Sequence, residues 1–143
     1  MSTKISIKNL PTGFQSVISN GRHSIVSDEP ITSKGTDQGF SPEDLLLAAL
    51  AACKVATVRF IARKNGWEIR EVDAQLEMSV KRNPDRSLAP QVQVALHIEG
   101  DLSDDQRSEL FKQADNCYIH RMIKGEWEIA EATPFAPSTP VTA

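Results

Sequence analysis

Two stretches of the chain alternate apolar and polar positions: Val72, Ala74, Leu76, Met78 and Val80, then Val92, Val94, Leu96 and Ile98. A period of two puts the apolar side chains on one face, so both stretches predict antiparallel strands with one buried face. Residues 83–90, with Asn83-Pro84-Asp85, form the exposed loop between them. Shorter alternating runs at residues 4–8, 14–19 and 23–27, divided by Pro11, Gly13 and Asn20-Gly21, predict three more strands. Asn-Gly between extended runs is a hairpin signal. Residues 32–40, small and polar, predict a loop, and Trp127 alternating with Ile129 predicts a last short strand over residues 126–130.

Helical spacing takes over at Ser41-Pro42-Glu43-Asp44. Ser can cap, Pro suits the first helical position, and acids suit the positive helix end, with Asp44 placed to close a capping box. The stop falls at Arg63-Lys64-Asn65-Gly66, where basic residues meet the negative end and Gly accepts the left-handed turn. The helix would be about 35 Å long. Its segment Leu45 to Ala52 is apolar all round, which predicts cover on every side and, in so small a domain, a partner subunit. A second helix starts at Ser103-Asp104-Asp105-Gln106. Leu110, Phe111, Ala114 and Cys117 follow at about one helical turn, so Cys117 points inward at or just after the helix end. The pattern is α+β, with the antiparallel strands packed on the long helix, in a single domain over residues 1–132 and a Pro-rich tail over 133–143.

A chain of 143 residues, 40% of them apolar and 24% charged, can bury a core without metal or disulfide. Sixteen Lys and Arg against nineteen Asp and Glu give a net charge of −3, with no dense basic run. Nucleic acid is not an expected partner. The first residues never build the apolar stretch of an export signal, which predicts a cytoplasmic protein. The most apolar segment, residues 45–62, carries Lys54, Thr57 and Arg59. Charges at those depths are costly in a bilayer, so it reads as a core helix and no membrane partner is expected.

The only cysteines are Cys53 and Cys117, far apart and outside any C-x-x-C pair. They are either two inert buried thiols or a redox couple. Small neighbours, Ala51 and Ala52, leave room around the Cys53 sulfur, and a reactive thiolate there needs a cation. Arg22, Lys54, Arg59 and Arg63 are available, although each of the helical three also reads as a solvated or snorkelling cation. Glu43 precedes Cys53 by ten positions, about 80° round and about 15 Å along a straight helix. Either the helix breaks between them or Glu43 is a favourable acid in the first turn. His120 lies three residues after Cys117, but Cys53, Cys117, His120 and His23 include no tight ligand pair, so no metal is expected. His97 reads as a residue of a strand's polar face. The glycines are scattered, which leaves no phosphate-binding loop and no expected cofactor. A Cys–His hydrolase would leave the second cysteine without a role.

Asp28-Glu29-Pro30, the run from Lys34-Gly35-Thr36 through Ser41-Pro42-Glu43-Asp44-Leu45-Leu46 to Ala51-Ala52-Cys53, Lys64-Asn65-Gly66-Trp67, and the run from Cys117-Tyr118-Ile119-His120 to Gly125 together resemble the OsmC/Ohr family of osmotically induced and organic hydroperoxide resistance proteins. The most specific part is Pro42-Glu43 to Ala52-Cys53. Three positions depart from the common pattern: Lys34-Gly35, Gly39-Phe40, and Tyr118 where many members have proline. The resemblance implies an OsmC-like fold in an intertwined homodimer with active sites at the subunit interface. It also implies a thiol peroxidase, in which Cys53 attacks the peroxide and becomes a sulfenic acid and Cys117 condenses with it to a disulfide. An external thiol resets the pair, a dihydrolipoyl group or lipoylated protein in the best-known branch. Glu43 matches the family glutamate that pairs with an arginine, for which Arg22 is the candidate. Two other readings keep the same fold: a non-catalytic dimer that binds a small apolar molecule, and a peroxide sensor that uses the disulfide as its signal.

Overall fold

The computed structural model describes residues 2–136. The chain forms two compact units, one made of the residues up to Leu46 together with those from Glu128 onward, the other of Leu47–Trp127. The expected end of the tail, from residue 137, lies outside the described residues.

In the first unit, strands β1 (Ser6–Asn9), β2 (Ser16–Ser19) and β3 (Ser24–Ser27) form an antiparallel meander in that order. Asn20 makes the β2–β3 turn: its Oδ1 accepts the backbone N–H groups of Arg22 at 2.9 Å and His23 at 2.8 Å. Gly21 beside it has φ +93°, a conformation that a Cβ would strain. The expected loop is more ordered than its composition suggests. It contains a 3-10 turn, Ile31–Ser33, and is gathered round Asp28, which is 2% exposed. The Asp28 carboxylate accepts the Thr36 hydroxyl at 2.6 Å and the N–H groups of Glu29 at 2.7 Å, Gln38 at 3.0 Å and Thr36 at 3.4 Å. The Thr36 hydroxyl and then the Gln38 N–H hold its pKa down to about 2, against an opposing pull from burial.

Helix α1 (Pro42–Lys64) starts as predicted. Ser41 Oγ accepts the Asp44 N–H at 3.1 Å and Asp44 Oδ2 accepts the Ser41 N–H at 3.0 Å, a reciprocal cap. It ends with Trp67 N–H bonded to the Ala62 carbonyl and Gly66 N–H to that of Arg63, with Gly66 at φ +70°. This is the Schellman closure that a glycine permits. The helix is long and apolar enough, by length and composition, to cross a membrane. Its interior contacts are those of a core helix: Val58 and Ala62 are buried in the core cluster, and Arg59 donates to the carbonyls of Ile69 and Arg70.

Strands β4 (Ile69–Arg82) and β5 (Leu88–Gly100) form a long antiparallel hairpin, with Val72 opposite Ile98 and Leu76 opposite Val94. Helix α2 (Asp104–Ala114) follows, its capping box closed by Ser103 and Gln106 as predicted. Arg107 ties it back to β5 through the carbonyls of Ile98 at 2.6 Å and Gly100 at 3.2 Å. The core of this unit is Val58, Ala62, Ile98, Leu110 and Ala114, flanked by Ile61, Trp67, Ile69, Val72, Leu96 and Leu102. The α+β class is therefore as read from the sequence, with three α-helices and two antiparallel sheets among the described residues.

Three expectations change. A third helix, α3 (Tyr118–Lys124), follows Cys117 where no element was predicted. Residues 126–130 form no strand, because no strand among the described residues pairs with them and alternation alone supplies no hydrogen bonds; Ile129 is 83% exposed. The apolar segment of α1 is partly open within the described residues, with Leu46 51% exposed and Ala49 and Ala52 open, and the expected cover was that of a partner subunit. The hairpin buries its apolar face only near α1 and α2; farther out, Val80, Val92 and Val94 are exposed, because no element among the described residues lies over them.

Two outcomes test this account. Leu110→Ala, which empties a fully buried core position, should cost about 3 kcal/mol in denaturant unfolding, and a loss under about 1 kcal/mol would place Leu110 outside the core. Asp28 has a folded pKa below that of an unfolded carboxylate, about 3.9, so its stabilisation is present above that value and is lost as pH falls toward about 2. Asp28→Asn should thus lower stability at neutral pH and flatten the acid limb of the stability–pH curve over that interval; an unchanged acid limb would contradict the loop clamp.

Candidate functional site

The second unit brings the two cysteines together at the meeting of α1, α2 and α3. Cys53 sits in α1, partly exposed, and Thr57 one turn later donates its hydroxyl to the Cys53 carbonyl at 2.8 Å. Cys117 is 1% exposed and is the N-cap residue of α3, at the inward place just after α2 that the spacing indicated. The chain turns so sharply there that the Ile119 N–H reaches Cys53 Sγ at 3.4 Å. Both thiols are free.

The surroundings pull the two sulfurs in opposite directions. Burial pushes the Cys53 thiol up, but hydrogen bonds from the Ile119 N–H, the Cys117 thiol and the Tyr118 N–H outweigh it and bring Cys53 below an ordinary cysteine. Burial pushes Cys117 up; the His120 N–H and the Lys54 charge oppose this, and the hydrogen bond it gives to Cys53 adds to it, leaving it above an ordinary cysteine. The pair thus has one sulfur disposed to be thiolate and one disposed to be thiol. That asymmetry suits attack by Cys53 followed by capture by Cys117.

Among the four cations offered by the sequence, Lys54 is the one set into this cluster. It neither snorkels nor meets solvent: it is 1% exposed, and its Nζ donates to the Ala114 carbonyl at 2.9 Å and bonds His120 Nδ1 at 2.9 Å. An ammonium can only donate, so Nδ1 accepts and the ring proton resides on Nε2. Burial, then the charges of Lys54 and Lys124, lower the His120 pKa and keep the ring neutral. With both ring nitrogens committed, His120 is not free to act as the base of a Cys–His hydrolase or as a metal ligand through Nδ1. No group of three His, Cys, Asp or Glu residues able to hold a metal converges among the described residues.

The other two sequence candidates belong to the first unit. Glu43 is exposed in the first turn of α1, and Arg22 is exposed in the β2–β3 turn. The helix is unbroken from Pro42 to Lys64, so the break that would fold Glu43 back onto Cys53 is absent. The Lys54–His120 pair was missed as a pair; its signals were a lysine beside Cys53 within an apolar run and a histidine three residues after Cys117, and what joins them is the unpredicted helix α3.

The model of the OsmC-like protein family matches residues 35–131. The chain belongs to that family. An OsmC-like protein of Mycoplasma pneumoniae superposes with a TM-score of 0.76 at 21% identity, over 87% of this chain and 89% of its own. The organic hydroperoxide resistance protein OsmC of Legionella pneumophila gives 0.68 at 21% identity over 87% and 90%. For the organic hydroperoxide resistance protein OhrB of Bacillus subtilis the values are 0.64, 19%, 87% and 92%. At these identities the structural likeness establishes the fold. A protein of Haloferax volcanii described as uncharacterized is 26% identical over 106 residues, 71% of this chain and 76% of its own. The OsmC-like fold anticipated from the sequence is thus present.

Iodoacetamide should label Cys53 first in this OsmC-like protein. Its labelling should have a pH midpoint below that of an ordinary thiol, about 8.5, with Cys117 labelled later and at higher pH. Peptide mapping that found Cys117 modified first, or a Cys53 midpoint at or above the ordinary value, would contradict the assignment.

Proposed function

We propose that this OsmC-like protein is a thiol-dependent peroxidase that reduces organic hydroperoxides to alcohols. The observation that carries the proposal is that the start of α3, capped by the buried Cys117, reaches Cys53, whose Sγ accepts the Ile119 N–H at 3.4 Å and whose pKa is lowered. The Cys53 thiolate attacks the hydroperoxide, forming an S–O bond and breaking the O–O bond; the alkoxide leaves and takes a proton to become the alcohol. Cys117 then closes a disulfide with the sulfenic acid. An external dithiol, a dihydrolipoyl group free or on a lipoylated protein, reduces the disulfide by exchange and is itself oxidised. No bound cofactor or metal enters this cycle.

The organic hydroperoxide resistance names of the Legionella and Bacillus structures support the substrate class. The glutamate and arginine of the peroxidase mechanism are assigned, on the resemblance, to Glu43 and Arg22, in an active site at the interface of a homodimer. The exposed apolar side chains of Phe60 on α1 and of Val80, Val92 and Val94 on the hairpin support a partner subunit. The cycle needs a reduced dithiol pool and so fits a cytoplasmic protein, with neither nucleic acid nor membrane as partner.

The test is consumption of tert-butyl hydroperoxide and of hydrogen peroxide with dihydrolipoamide as reductant. The organic peroxide should be consumed faster. Cys53→Ser should lose turnover by roughly a hundredfold or more, and Cys117→Ser should consume a single equivalent and stop. Full turnover by the Cys53→Ser variant would overturn the proposal, and no turnover by the unaltered protein with either peroxide would favour a ligand-binding dimer.

A further inference from the structure

The buried residues of α1 are Leu50, Lys54, Val58 and Ala62. They are four apart and so lie along one line of the helix facing the interior. Three are apolar. The fourth carries an ammonium where a leucine would fill the space, and desolvating an ammonium is costly unless other groups replace its water. The Ala114 carbonyl and His120 Nδ1 do replace it, each at 2.9 Å, but both are neutral. Among the described residues the sole ion pair is the exposed one between Arg70 and Glu99. The Lys54 charge is therefore solvated but not neutralised. A positive charge held in that state gains most when a neighbour becomes negative; Cys117, the N-cap of α3, lies in the chain between the two anchors of Lys54, Ala114 and His120, and the Lys54 charge favours its ionisation.

We propose that Lys54, pinned by Ala114 and His120, is the cation of the resolving step: it stabilises the thiolate that the buried Cys117 must become to close the disulfide with Cys53, and His120 is its positioning residue, not a base. This deepens the peroxidase reading and rests on it. In the step, Cys117 gives up its proton and its sulfur attacks that of the Cys53 sulfenic acid. The S–S bond forms as the S–O bond breaks, and the departing hydroxide takes up the proton as water. The Cys117 sulfur is oxidised and the sulfenic sulfur reduced, so the peroxide consumed earlier is the only oxidant. His120 cannot accept that proton, because Lys54 occupies its Nδ1 and Nε2 bears the ring hydrogen. The titratable and charged groups that act at this place are Cys53 and Lys54 from α1, His120 and Lys124 from α3, and Asp115 between α2 and α3, whose charge acts on His120.

The decisive measurement titrates Cys117 alone, by the ultraviolet absorbance of its thiolate in the Cys53→Ser background, and needs no peroxide. Adding Lys54→Gln should raise the midpoint by about one pH unit or more, a tenfold loss of thiolate below it, while Lys54→Arg, which keeps the charge, should hold it near the parent value. An unmoved midpoint in the Gln variant, or an equal rise in the Arg variant, would overturn the proposal. Should the Gln variant not fold, judged by near-ultraviolet circular dichroism, the Arg variant decides alone, since its charge should keep the midpoint down. In the otherwise unaltered chain given one equivalent of hydroperoxide, Lys54→Gln should slow disulfide closure about tenfold and let the sulfenic acid be trapped by dimedone; closure at the parent rate would overturn it. Failure of the unaltered chain to oxidise Cys53 at all would instead remove the peroxidase reading, and the resolving step with it, whatever the titration gave.

Discussion

The second unit of this protein is organised round an ammonium where a hydrocarbon would be expected. Lys54 occupies a core position of α1, and its two hydrogen bonds tie that helix to the end of α2 through Ala114 and to α3 through His120. Both cysteines lie beside these ties: Cys53 is the preceding residue of α1, and Cys117 falls between Ala114 and His120 in the chain. Any displacement of Lys54 would strip an ammonium of its replacement solvation, and that penalty holds α2 and α3 against α1. The same bonds that solve the desolvation problem thus fix where the sulfurs meet.

The thiols themselves show why proximity in space, and not residue type, creates the chemistry. Alone in an apolar helix, Cys53 would be an inert buried thiol raised by desolvation. The backbone N–H groups of Ile119 and Tyr118, turned toward it by the entry into α3, reverse that sign. Cys117 receives the opposite treatment, because its burial is deeper and its hydrogen bond is given, not received. Two identical side chains acquire different roles from the direction of one hydrogen bond and the placement of one turn.

What the sequence disclosed and what it withheld follow the range of the forces involved. Local signals were legible: the caps at Ser41 and Ser103, the Gly66 stop, the Asn20-Gly21 turn and the period-two hairpin are each decided within a few residues. Cys53 and Cys117 could be named as candidates from the resemblance, but their hydrogen bond depends on α3, a seven-residue helix too short to print a clear period. Lys54 was visible as a cation and read as one of four, since a single sequence does not reveal which lysine a core will enclose. The failure over residues 126–130 has the same origin in reverse: Trp127 and Ile129 alternate correctly, yet a strand also needs a partner's backbone, and alternation does not state whose.

The exposed apolar positions join these two lessons. Phe60, Val80, Val92 and Val94 are patterned as buried residues, and the chain leaves them open. A sequence that spends its alternation on such positions is patterned for a layer that the described residues do not provide, which is the physical content of reading the all-apolar segment of α1 as a reason to expect a second subunit. The site obeys a different economy. Cys53, Cys117, Lys54 and His120 all come from the one unit and satisfy one another there, so the thiol pair and its cation are assembled by a single chain. In the proposed dimer, association would act on what reaches the partly open Cys53 more than on how the sulfurs are held.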